Sequence, residues 1–449
     1  MIDFFKWLKI KKEDEHANIE LHNSQYPGSK KKGKQTIRFC LDFGTAFTKV
    51  IFNVQPEFYA IPFHEADAEN PYLLPSVLYV DEDNICSLTK KNSVTSYSNL
   101  KDFIVLGELD ELTEDHNKLK AIVIFLALVI QHARKTFMSE HLNQFKNKVL
   151  VWDLLIGVPV KNFDDKERMD ILQYLLKLAW NVSIRSNKIR FNDQELDDEK
   201  SDEVELNVQT EVDALLVSLE KQISNDYFIP IDVGAGTTDI NFLRVAEASR
   251  ESSYESKYAS LAKSVEPYGS FMMLEDLCKQ LDKKNDFNRT ENFPSNKEIT
   301  EKLSLDEPKV KSNIENFIKR YDAQIIDILK TANRDHINNR YERDKVKRKG
   351  IKYILLGGGS KIDIYIKTTR KAAERNDPKL TLLKVNKPKQ LSPDDLTDDD
   401  WSRLIVAYGL AHGVDAFPKN MGNAEISYDD GSGSNGSDFR KNYIGPEQM

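Results

Sequence analysis

The sequence predicts an α/β protein built by duplication, with a ligand gripped between two copies of one hairpin. Three stretches predict this. The first, Ile229–Phe242 (IPIDVGAGTTDINF), runs apolar residues into Asp232 and continues through Gly234, Gly236, two threonines and Asp239 before apolar residues resume at Ile240. That pattern reads as strand, tight turn, strand. The second, Arg38–Phe52 (RFCLDFGTAFTKVIF), repeats it about 190 residues earlier, with Asp42 on Asp232, Gly44 on Gly234 and Thr48 on Thr238. Thr45, Ala46 and Phe47 then fall on Ala235, Gly236 and Thr237. The third, Ile351–Ile362 (IKYILLGGGSKI), is an apolar strand ending in Gly357, Gly358 and Gly359, with Ser360 expected at a helix N-cap and Lys361 behind it. One such hairpin is common in cores. Two in one chain indicate a repeated unit.

Residues 1–35 read as a flexible lead-in with a basic run, Lys30–Lys34. The segment MIDFFKWLKIKK at its start suits a short amphipathic turn that packs, frays or docks on a membrane or partner. The first unit is expected over 36–208. Its strands fall near 37–42 and 48–54, and a further strand is expected at Ser76–Val80. Leu119–Phe137 reads as a helix, Val149–Ile156 as a strand and Asp165–Trp180 as a helix with Met169, Leu172, Leu176 and Ala179 on one face. The acidic stretch 192–205 reads as a surface excursion. The second unit is expected over 209–416 and opens with a helix at Gln209–Leu219. Ser249–Ser260 reads as a loop. A helical subdomain is inserted at about 268–350, with Ile314, Phe317, Ile318, Tyr321, Ile325 and Leu329 at helical spacing. Leu380–Val385 reads as a strand, Asn386–Asp400 as a polar insertion and Trp401–Gly413 as a helix. The stretch 417–449, with GSGSNGSD, reads as a disordered tail.

Composition narrows the function. A formal charge of −8 argues against a general nucleic-acid binder. Cys40, Cys86 and Cys278 have no metal or redox spacing and read as reduced, buried thiols of a cytoplasmic protein. The longest apolar run, Ala121–Ile130, is about half a membrane span and is closely flanked by Lys118, Lys120 and Arg134, so it reads as a buried helix with no transmembrane segment.

The hairpins carry the chemistry. A glycine turn brings backbone N–H groups close to an anion. Asp42 and Asp232, at strand ends, are placed to hold Mg²⁺ through water, because Mg²⁺ dehydrates reluctantly. Thr45 and Thr237 offer hydroxyls to phosphates. Together these are the needs of a nucleoside triphosphate.

The two hairpins resemble the phosphate-1 and phosphate-2 motifs of the actin, hexokinase and heat-shock-70 superfamily, and IKYILLGGGSKI resembles its adenosine motif. The motifs come in the family's order and span about residues 36–415. LLPSVLYV, IGVPV and the AYG of WSRLIVAYGLAHG are similar to further family segments. The resemblance implies a two-lobed actin-like α/β fold of duplicated ribonuclease-H-like domains closing on Mg-ATP or ADP. It implies that Glu211, in QTEVDALLVSL, positions the attacking water. Val212 replaces the family's proline there, and Asp213 adds a carboxylate. The resemblance also makes Lys101 the candidate phosphate-contacting lysine. YGSFMMLEDL resembles the helix after phosphate 2, with one glycine missing.

The expected function is that of an ATP-hydrolysing switch acting on a partner protein, since ligand-dependent closure biases two states. The peptide-binding domain of the chaperone branch is not expected in this sequence. Two alternatives stand beside the switch. One is a filament-forming actin-like cytoskeletal or plasmid-segregation protein. The other is a non-catalytic nucleotide-binding scaffold.

Overall fold

Two apolar strands and a glycine turn give the first hairpin, and the same grammar gives the second. The computed structural model describes residues 33–420 except 65–69, 91, 108–114, 146–147, 160–164, 186–187, 193–203, 224–226, 247–256, 288–292, 336–343, 345, 349 and 376–379. The amphipathic N-terminal segment, nearly all of the lead-in, most of the acidic excursion and the tail beyond Asn420 lie outside the described residues.

The chain is mixed α/β. In its first part, β1 (Lys34–Phe43), β2 (Phe47–Val54) and β3 (Glu57–Ala60) form an antiparallel meander. The expected strand at Ser76–Val80 resolves into β4 (Leu74–Pro75), against β2, and β5 (Leu78–Asp81), which pairs with β6 (Cys86–Ser87) and β7 (Ser93–Tyr97). Then come α1 (Leu100–Leu106), α2 (His116–Phe145), β8 (Val149–Val158), α3 (Lys166–Arg185) and β9 (Val204–Thr210). In the second part, α4 (Glu211–Leu219) leads to β10 (Tyr227–Val233), β11 (Thr238–Ala246) and β12 (Lys257–Glu266), again an antiparallel meander. The helices α5 (Ser270–Gln280), α6 (Asn296–Leu303) and α7 (Glu307–Asp335) follow. β13 (Ile351–Leu356), α8 (Asp363–Arg375), β14 (Leu380–Leu382), β15 (Leu391–Ser392), α9 (Asp398–Leu410) and β16 (Lys419–Asn420) complete the described chain.

The duplication is visible in the sheets. One runs β3-β2-β1-β8-β9 and the other β12-β11-β10-β13-β14, so each places three antiparallel strands beside two parallel ones in the same order. The paired parallel strands β1 and β8 bury long apolar runs, as strands covered on both faces must. β15 joins the outer edge of β3. The expected polar insertion at 386–400 is therefore partly a strand of the first sheet and partly the start of α9. Lys257–Ser260, expected in a loop, belong to β12, and Lys419–Asn420, expected in the tail, pair with its first residues. Local polarity hid these edge strands, whose partners lie far away in sequence.

Three cores follow from this layout. The first packs α2 and α3 on the sheet of β1, and Ala121–Ala127 of α2 are wholly buried in it. By length and composition α2 would also cross a membrane; here its apolar face is packed against α3. The second core packs α5 to α8 on the sheet of β10 and includes Ile314, Phe317, Ile318, Tyr321, Ile325 and Leu329, the expected apolar face. The third joins α4 and α9 to residues of both sheets, such as Cys40 and Ile51 of one and Phe228 and Leu243 of the other. Each fully buried aliphatic side chain here contributes about 1.5–3 kcal/mol. All three cysteines are free and buried.

The crossing of α4 and α9 depends on small residues. A Cβ on Gly409 would run into the carbonyl of Ala214 and the Ser218 hydroxyl. Ser218 Oγ donates across the helices to Ile405 O at 2.7 Å. α9 starts cleanly because Thr397 and Asp400 form a reciprocal capping box.

Candidate functional site

Both glycine turns close in the same way. Gly44 N–H donates to Phe47 O at 3.1 Å, and Gly234 N–H donates to Thr237 O at 2.9 Å. Each turn is buttressed. Ser76 N–H donates to Ala46 O at 2.8 Å and its hydroxyl to Gly44 O at 2.7 Å, so the strand after the first hairpin fixes that tip. The first N–H groups of α5 do the same for the second: Ser270 N–H donates to Gly234 O and Phe271 N–H to Ala235 O, each at 2.9 Å. Those helix-start donors would otherwise lack partners.

The two tips face one cavity of about 1360 Å³. Of the expected site residues, Asp42, Gly44, Thr45, Ala46, Phe47, Lys101, Glu211, Asp232, Gly234, Ala235, Thr237, Gly357, Gly358 and Lys361 line it. Three do not. Gly236 packs against Asp102, and Gly359 packs against the Val233 side chain. Ser360 lies inside a short 3-10 turn and its hydroxyl donates to Gly357 O at 2.7 Å, so it is not the helix N-cap that its residue type suggested. Gly357 has φ +74°, and a Cβ there would collide with Asp232 Oδ1 and the Val233 backbone; only glycine lets this turn pass so close.

Charge is concentrated at the inner end. Strand register sets Asp42 opposite Lys49, and their ion pair is 2.8 Å long. At the equivalent place in the second hairpin, Asp232 stands opposite another acid, Asp239. Lys101 Nζ reaches Glu211 Oε1 at 2.6 Å. Asp213, the extra carboxylate beside Glu211, is turned away: it accepts a hydrogen bond from the Thr210 hydroxyl at 2.6 Å in the N-cap of α4. Four carboxylates thus share two lysines.

Burial is the main cause of the resulting shifts. It pushes Asp232 up to about 6, with the nearby Glu211 carboxylate adding to the rise and Lys49 opposing it. It pushes Asp239 up to about 8, with Glu211 and Asp232 adding. Lys101 is held above its ordinary value: burial opposes the charge, but Glu211 and Asp42 outweigh burial together with smaller contributions. Asp239 Oδ1 is buried with no hydrogen-bond partner.

This surplus of buried acid fits a divalent cation. Among the described residues Asp232 and Asp239 are the carboxylates of this group without a lysine ion pair, whereas Asp42 is already engaged by Lys49. Among the described residues no three ligand-type side chains converge as a metal site. That donor set suits a cation held largely through water by one or two carboxylates.

Sequence reasoning missed Lys49 and Asp239. The alignment of the two hairpins contained the signal for both, because it sets Lys49 on Asp239. The outer end of the cavity was missed as well. It is lined by Phe293–Asn296 and Ile314, from the inserted helical segment, and by Lys367 of α8.

No protein-family model matches the chain, and no curated protein matches it.

Proposed function

We propose that this chain has the two-lobed fold of the actin, hexokinase and heat-shock-70 superfamily and works as a switch that binds Mg-ATP and hydrolyses it to drive a partner protein. One observation carries the reading: two hairpins closed by the same N–H to carbonyl turn bond, each from a sheet with the same order of five core strands, bring their tips, Lys101, Glu211 and the acids Asp42 and Asp232 to a single cavity. Phosphoryl transfer to water needs positioning and charge neutralisation more than covalent help. In this proposal the turn amides of 44–47 and 234–237 hold the phosphates, with the Thr45 and Thr237 hydroxyls beside them. Lys49 and Lys101 offset phosphate charge. Asp232 and Asp239, with Asp42 paired to Lys49, would hold Mg²⁺ through water. Magnesium, when bound, supplies neutralisation of the phosphate oxygens. Glu211 orients the attacking water once Lys101 turns from it towards the phosphates. Gly357–Lys361 and the outer wall receive the nucleoside.

The scaffold reading, in which nucleotide binds without turnover, is favoured by the ion pair that ties Glu211 to Lys101. Phosphate release from Mg-ATP, followed with purified protein alone and with candidate partners, separates the two. Turnover that falls by about a hundred-fold or more in Glu211→Gln supports the switch. Tight binding with no turnover under any condition supports the scaffold.

A further inference from the structure

The apolar face of α7 carries one amide. Ile314, Phe317, Tyr321, Ile325 and Ile328 of that face bury in the second core, and Gln324 sits among them, only 7% exposed. Helical spacing alone would be served as well by an apolar residue there. A buried amide has to find partners, and this one finds them in the sheet. Gln324 Nε2 donates to Thr238 O at 3.0 Å and to Ser264 Oγ at 3.1 Å. Ser264 lies in β12, and Thr238 is the first residue of β11, directly after the second glycine turn. Gln324 Oε1 is buried with no partner among the described residues. The amide is therefore only half used, and stability alone does not account for it.

The first hairpin is braced differently. Thr48, aligned with Thr238, shares a 2.9 Å hydrogen bond with the hydroxyl of Ser76, the residue that also holds the first turn. The Thr238 hydroxyl is buried with no partner among the described residues. In place of that bond the second hairpin has Gln324, which holds the carbonyl of the peptide joining Thr238 to Asp239. Fixing that peptide fixes the root of the turn on one side and, on the other, the backbone from which Asp239 reaches the cavity. Gln324 itself is not among the residues that line the cavity, so it acts on a ligand only through β11. We propose that Gln324 is a positioning residue: it keeps the second glycine turn and Asp239 aimed at the phosphate end of a bound nucleotide. This inference rests on the nucleotide-binding reading above.

The test separates the two ends of the ligand. Binding of Mg-ADP, of pyrophosphate with Mg²⁺ and of adenosine is measured with the full chain, the last two by displacement of Mg-ADP. Gln324→Met fills the same space on an apolar face and removes both hydrogen bonds. It should weaken pyrophosphate and ADP by about five-fold or more, the worth of one or two buried hydrogen bonds, and leave adenosine within about two-fold. Gln324→Leu, a second apolar side chain suited to that face, should read the same. Both variants should unfold within about 3 °C of the wild type. Pyrophosphate affinity unchanged in both variants overturns the proposal. So does an equal loss for pyrophosphate and adenosine, which is what a general loosening of the fold would give. Variants that do not fold would make Gln324 a stability residue, which overturns it too. Binding of none of the three probes by the wild type would instead remove the underlying reading, and the inference with it.

Discussion

Replacing Asp232 with asparagine should stabilise the nucleotide-free protein while weakening Mg-nucleotide binding. Asp232 is partly buried beside Glu211 and Asp42, and its carboxyl is pushed up to about 6. An acid whose pKa is raised on folding binds protons better in the native state than in the unfolded chain. Its contribution is therefore most favourable below the unfolded value and is lost as pH rises to about 6. Relative to an ordinary carboxylate, the cost of keeping it ionised is about 3 kcal/mol above that point. Asp232→Asn removes this cost in a side chain of nearly the same shape. Denaturant unfolding at pH 8 should show the variant more stable by up to about 3 kcal/mol, and the gain should shrink towards zero below about pH 3, where the wild-type group is neutral in both states. Asp239, pushed up further, to about 8, is held at a larger disadvantage. A variant less stable than wild type at pH 8, or a difference that ignores pH, would refute the reasoning that these acids are held together against their mutual repulsion for a cation.

Other substitutions probe separate links. Glu211→Gln should leave nucleotide affinity within about two-fold while slowing phosphate release about a hundred-fold; lost binding would make Glu211 structural. Gly357→Ala forces a Cβ into Asp232 at φ +74°; it should cost at least about 1–3 kcal/mol of stability and abolish nucleotide binding in calorimetry. Gly409→Val should separate α4 from α9 and destabilise by about 3 kcal/mol or more in chemical denaturation, because Ala214 O leaves no room for a side chain. Removing Mg²⁺ with a chelator should weaken ATP binding by at least about ten-fold, since ATP would then enter a cavity that already holds surplus acid.

The hairpins were legible in the sequence because their information is local. Asp42–Thr48 and Asp232–Thr238 specify a turn through glycine, the apolar runs on either side specify strands, and the structure folds both as expected. The buried face of α7 was legible for the same reason. What escaped was set by distant partners. β15 is two residues of an unremarkable polar loop, and only the edge of β3 makes it a strand. Ser360 has an N-cap residue type, yet the preceding glycines curl into a 3-10 turn and claim its hydroxyl. Asp213 looked like a second site carboxylate and is a capping residue, since Thr210 holds it. Asp239 and Lys49 stood in plain view in the aligned hairpins. Their importance depends on strand register, which places each directly across from a site aspartate.

The central claim is that the shared cavity binds Mg-nucleotide through the acids of the two hairpins. Calorimetric titration of ATP into the wild-type protein and into Asp232→Ala, with and without Mg²⁺, tests it most directly. The account predicts saturable, Mg²⁺-dependent binding by the wild type, its loss in Asp232→Ala, and loss of any ATP hydrolysis along with it. Binding and turnover that are the same in both proteins, or wild-type binding indifferent to Mg²⁺, would contradict it.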